Sequence, residues 1–133
     1  MATTDELAPG LSNARTFIVS DADTAKSLGS GSLRVLATPR VLAWAESVTC
    51  TAIHNALADG STSVGARVSL EHMAPSPVGD EVRVGATVTR VDGRAVTFEF
   101  EASDATGRTI ARGEIVRAVV GADAFMARLR PDH

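Results

Sequence analysis

Residues 38–60, TPRVLAWAESVTCTAIHNALADG, decide the fold. Thr38 and Pro39 read as a helix start, a capping hydroxyl followed by proline at the first helical position. Val41, Leu42, Ala45, Val48, Ala52, Ile53, Ala56 and Leu57 then recur at the three-and-four spacing of an amphipathic helix. Asp59-Gly60 supplies the stop. The spacing predicts one helix of about twenty residues, the longest in the chain.

Upstream, Arg15 to Ser20 (RTFIVS) reads as a short first strand. Residues 1–14 before it are polar and punctuated by Gly and Pro, and are expected to be flexible. Residues 21–31 read as a loop with room for one helical turn. Downstream of Gly60 everything reads as strand. Val64, Ala66, Val68 and Leu70 alternate with Gly65, Arg67, Ser69 and Glu71. After the Ala74-Pro75-Ser76-Pro77 break, Val82, Val84, Ala86 and Val88 form a second alternating set. Asp92-Gly93 is a hairpin turn of the primed type, and Val96, Phe98, Phe100 and Ala102 follow it. Thr106-Gly107 turns the chain again into a last long strand, Thr109 to Val120, where Gly113 blurs the alternation and suggests a bulge. A short helix, Ala122 to Leu129, closes the chain. One helix can cover one face of such a sheet, so an α+β domain spanning residues 1–133 is expected, its antiparallel sheet wrapped around the helix. A free sheet edge calls for a cover, and a second copy of the chain is the economical one, so at least a homodimer is expected.

Composition excludes several classes of function. With 133 residues there is room for one ordinary domain. Apolar residues at 44% and charged residues at 22% belong to a globular protein, not a disordered one. Thirteen Lys and Arg against 16 Asp and Glu give a net charge of -3, without the basic footprint of a nucleic-acid binder. A single cysteine, Cys50, leaves no internal disulfide and no Cys-based zinc site. His54, His72 and His133 are too scattered to suggest a metal site, and no cofactor motif is present. The N-terminus lacks an apolar signal, and no apolar run is long enough to span a membrane. A cytoplasmic protein without membrane contact is the expectation.

Three residues break the pattern. Taking Leu42 as 0° on a helical wheel, Glu46 falls at about 40°, between Ile53 and Leu57 and inside the apolar arc. A carboxylate there is costly unless paired, hydrogen-bonded or protonated, which is the situation of many active-site acids. The plainer reading lets it reach water from the edge of the stripe. His72 continues the Val68–Leu70 face and should point at the helix, as a core histidine or as a partner for Glu46 in general acid–base or nucleophilic chemistry. Thr38 is explained by capping alone, yet a hydroxyl at the positive end of a helix can also serve an oxyanion. Cys50 reads as a passive thiol, His54 as a solvated residue and His133 as a disordered chain end. Trp44, on the polar side of the same wheel, reads as an interface marker.

Together these features resemble the hotdog fold of acyl-thioesterases. The segments LATPRVLAWAE, SVGARVSLEHMAPSPVG, VDGR and IARGEIVRAVV are similar to the fluoroacetyl-coenzyme A thioesterase family, over about Leu33 to Phe125. The resemblance implies a catalytic set of Thr38, Glu46 and His72, with substrate contacts from Gly65 and Arg117, and an acyl-CoA or other acyl-thioester substrate. That family's phenylalanines ahead of the catalytic threonine shape a small acyl pocket. Here Leu28, Leu33 and Leu36 occupy the region, with no Phe between Phe17 and Phe98, which implies a different acyl group. Hydrolysis of an acyl thioester is the leading expectation. Hydration or dehydration of an acyl thioester on the same fold is one alternative. Binding of an acyl thioester or a partner protein without turnover is the other.

Overall fold

A computed structural model describes residues 6–129 of the chain. The elements run β1 (Ser12–Ile18), α1 (Ala25–Leu28), α2 (Thr38–Ile53), β2 (Ser61–His72), β3 (Glu81–Asp92), β4 (Ala95–Asp104), β5 (Thr109–Gly121) and α3 (Ala122–Ala127). The five strands form one antiparallel sheet in the order β1-β3-β4-β5-β2. Helix α2 lies against it, in the α+β arrangement that the sequence predicts. Among the described residues, no helix is long and apolar enough to cross a membrane.

The alternating sets on β3 and β4 do what their spacing requires. Val82, Val84, Ala86 and Val88 are buried with Val96, Phe98, Phe100 and Ala102 against α2, in one core with Ile110 and Ile115 of β5. Between β3 and β4 only Gly93 and Arg94 turn the chain, and Gly93 at φ 60° makes this the primed II′ type.

Several boundaries and faces differ from expectation. β1 begins at Ser12, because Ser12–Ala14 already pair with β3, and Gly10 N–H bonds Val88 O. The part of the 1–14 stretch within the described residues is thus tied to the sheet. Helix α2 ends at Ile53 and tightens into a 3-10 turn at His54–Ala56, and α3 stops at Ala127. Trp44 is not an exposed interface marker. It is 9% exposed, its ring stacked on Phe17 of β1 at 4.5 Å. The buried arc of α2 therefore centres on Val41, Ala45, Val48 and Ala52, and Glu46 lies at its edge.

The bulge also falls elsewhere. Gly113 sits in regular register opposite Leu70 and Phe100, and a Cβ there would overlap the Ser69 carbonyl and crowd the Phe100 ring. It is a close-approach glycine, not a bulge. Register breaks lie instead at Ile110 in β5, at Thr89 in β3 and in β2, where Gly65 pairs with Arg117 and Arg67 with Val116, leaving Ala66 as the extra residue. One inserted residue reverses the side-chain alternation. Ser63 and Gly65 before the bulge thus share the helix-facing side with Leu70 and His72 after it.

Candidate active site

Helix α2 begins differently from the capped start expected. Ala37 is the N-cap, Thr38 is the first helical residue, and no side chain caps the end. The Thr38 hydroxyl is instead 2.7 Å from Nδ1 of His72. Capping therefore does not explain this threonine, and its one side-chain hydrogen bond goes to a titratable ring at the positive end of a helix. Burial holds the His72 imidazole below its ordinary pKa of 6.5, so the ring is neutral at neutral pH. Its other nitrogen, Nε2, is buried and has no hydrogen-bond partner among the described residues. The direction of the Thr38–His72 bond follows the tautomer, and in the one where Nδ1 accepts from the Thr38 hydroxyl the ring proton sits on Nε2.

A cleft of about 270 Å3 opens beside this pair, lined by Thr38, His72, Val35, Leu36, Met73 and Ala74 among others. Of the three leucines expected to shape an acyl pocket, only Leu36 lines it. Leu28 and Leu33 are exposed.

Glu46 lies two turns further along α2 and has different neighbours. Its side chain is 37% exposed, and Oε2 lies 3.5 Å from Nη1 of Arg117. The plainer expectation, a carboxylate merely reaching water, thus misses an ion pair. Arg117, on β5, is almost wholly buried. Its Nε donates to the Ser63 hydroxyl at 2.8 Å and its Nη2 to the Ser63 carbonyl at 3.0 Å. Nη1 alone has no hydrogen-bond partner. Gly65 lies directly under the carboxylate, where a Cβ would collide with Glu46 Oε2. The sequence reading named Glu46, Gly65 and Arg117 but not Ser63. Only the bulge turns Ser63 inward, and strict alternation hides it.

The chain thus holds two separate clusters, Thr38 with His72 and Glu46 with Arg117. Thr38 and Glu46 are eight residues apart, about 12 Å along the helix axis. Gly65 and His72 are seven residues apart on β2, on the order of 20 Å. One thioester carbonyl cannot meet both Glu46 and His72 of the same chain. Cys50 and His54 are exposed, one and two turns beyond Glu46 along the chain. His133 lies outside the described residues.

Comparison with known proteins gives this geometry a family. A family model described as fluoroacetyl-CoA-specific thioesterase, FlK, matches residues 19–123. The chain belongs to this family. It is a thioester hydrolase of hotdog fold. A phenylalanine-to-alanine variant of FlK superposes with a TM-score of 0.87 at 26% identity, covering 95% of this chain and 97% of that one. A threonine-to-serine variant of FlK in complex with acetyl-CoA gives 0.86 at 26% identity, covering 92% and 96%. A hot-dog-like protein from Thermanaerovibrio acidaminovorans gives 0.83 at 29% identity, covering 91% and 89%. No curated protein matches the chain by sequence.

Proposed function

We propose that the protein hydrolyses acyl-CoA thioesters in sites shared by two subunits, each built from Thr38 and His72 of one chain and Glu46 of its partner. The observation that carries this reading is the pairing of Thr38 with His72 far from the Glu46–Arg117 pair of the same chain. Strand β2 has a free edge twelve residues long, with Val68 44% exposed on it. An uncovered edge of that length invites pairing. Two β2 strands joined antiparallel about a two-fold axis near Val68 would bring Gly65 and Glu46 of one subunit towards His72 of the partner subunit.

In such a site Glu46 takes a proton from water, and the resulting hydroxide attacks the thioester carbonyl carbon. His72, neutral throughout, donates a hydrogen bond from Nε2 to the reacting thioester. Its ring is oriented by Thr38. The proton held by Glu46 then passes through solvent to the departing sulfur, so that thioester and water become acid and thiol. Backbone N–H groups near Gly65 or at the start of α2 supply donors for the oxyanion. Gly65 and the unbonded Nη1 of Arg117 contact the acyl end. Burial places Arg117 beyond reach of the coenzyme's phosphates, so its service is to the acyl group and to Glu46. The cleft between Leu36 and Met73 receives an acyl chain in a pocket built without phenylalanine.

Thiol release from acyl-CoA esters graded in length, branching and charge tests the function. Release from at least one ester is expected. No release across the panel from a folded protein would overturn the reading.

Two further outcomes follow from the Thr38–His72 pair. Thr38→Ala should lower kcat about tenfold or more, while the melting temperature moves by no more than a degree or two, because no cap is lost. A capping role would instead destabilise the protein and spare turnover. The pH profile has a definite sign. His72 must be neutral to act, and burial lowers its pKa, so kcat should hold down through pH 6.5 and decline only below it. A decline already under way above pH 6.5 would contradict that environment.

A further inference from the structure

We infer that Ser63 is a positioning residue for hydrolysis, acting on Glu46 through Arg117; the inference rests on reading Glu46 as the general base. A guanidinium presents five N–H donors in a rigid planar fork, and one that is 6% exposed must find acceptors within the protein. Ser63 supplies two, its hydroxyl to Nε and its carbonyl to Nη2. These bonds fix both the plane and the rotation of the group, and only the Nη1 edge remains turned towards Glu46.

The consequence lies in the distance. Nη1 to Oε2 is 3.5 Å, well beyond the roughly 2.7–2.9 Å of a charge-assisted hydrogen bond. Ser63 holds the arginine close enough to orient the carboxylate and too far back to clamp it. Without the hydroxyl, Nε becomes a buried donor that has lost its acceptor, and the carboxylate paired with the guanidinium is that of Glu46. The fork then swings onto the carboxylate and occupies the oxygens that must receive a proton from water. Ser63 reaches this position only because the extra residue Ala66 turns it to the helix side.

Ser63→Ala should lower kcat about tenfold, with the loss in kcat exceeding any change in KM. Ser63→Cys, of similar size but a poor acceptor, should behave alike and covers the case in which the alanine variant folds badly. Ser63→Thr, which keeps the hydroxyl, should restore most of the rate. In a Glu46→Gln background Ser63→Ala should cost nothing further, because the group it positions is gone. A wild-type kcat in Ser63→Ala or Ser63→Cys, no rescue by threonine, or a full additional loss in the Glu46→Gln background would each overturn the inference. If Glu46→Gln is itself fully active, the general-base reading falls and this one with it. If Glu46→Gln is inactive and Ser63→Ala unaffected, only this one falls.

Discussion

Glu46→Gln should lower kcat for acyl-CoA hydrolysis by about a thousandfold, with KM little changed and the fold intact. Glutamine has the same shape but cannot take a proton from water. The residue lies at the edge of the helix-buried arc and is more than one-third exposed, so the substitution removes no core packing. Arg117 keeps both bonds to Ser63 and stays in place. Loss of rate without loss of structure is thus the expected signature, read by thiol release beside a thermal melt. A variant that turns over within a few-fold of wild type would remove Glu46 from the chemistry.

Gly65→Ala should cost about a hundredfold in kcat, a large effect for one methyl group. The glycine does not occupy the left-handed region, so alanine suits the backbone. The atom in the way of a Cβ is Oε2 of Glu46, the far end of a flexible side chain, which can swing aside at little cost to stability. The fold therefore survives while the carboxylate leaves its place beside Arg117. Gly113→Ala is the informative contrast. There the obstructing atom is the Ser69 carbonyl in the adjoining strand, which cannot move without parting β2 from β5. The first variant should melt near wild type and turn over poorly, and the second should melt well below it. Equal melting losses in both would mean that Gly65 serves packing and not the carboxylate.

Much of this was legible in the sequence, for physical reasons. The alternation on β3 and β4 and the period of α2 come from burial on one face, and burial repeats at the spacing of the backbone. Glu46 and His72 stood out because each broke such a repeat. Features that depend on a partner atom were not legible. Thr38 before a proline looks like a cap, and only the position of His72 shows that its hydroxyl points elsewhere. Trp44 fell on the polar side of a wheel centred near Leu42. Its burial depends on Phe17, which lies far away in sequence and is stacked on it. Gly113 reads as a bulge because glycine interrupts a pattern in either case, whether it marks an extra residue or a close approach. The bulge at Ala66 carries no such mark, and it conceals Ser63. Nor does the eight-residue spacing of Thr38 and Glu46 show by itself that they serve different half-sites. That follows from finding His72 at one and Arg117 at the other.

The most direct test of a shared hydrolytic site is subunit complementation. Glu46→Gln and His72→Ala proteins are each assayed for thiol release from the best acyl-CoA ester, then mixed under conditions that exchange subunits and assayed again. Each variant alone should be nearly inactive. In a dimer, random exchange makes half the molecules mixed, each with one intact site and one doubly altered site, so about a quarter of wild-type activity should return. A mixture as inactive as its components, once exchange has been demonstrated, would show that Glu46 and His72 do not meet across subunits, and the proposed site would be wrong.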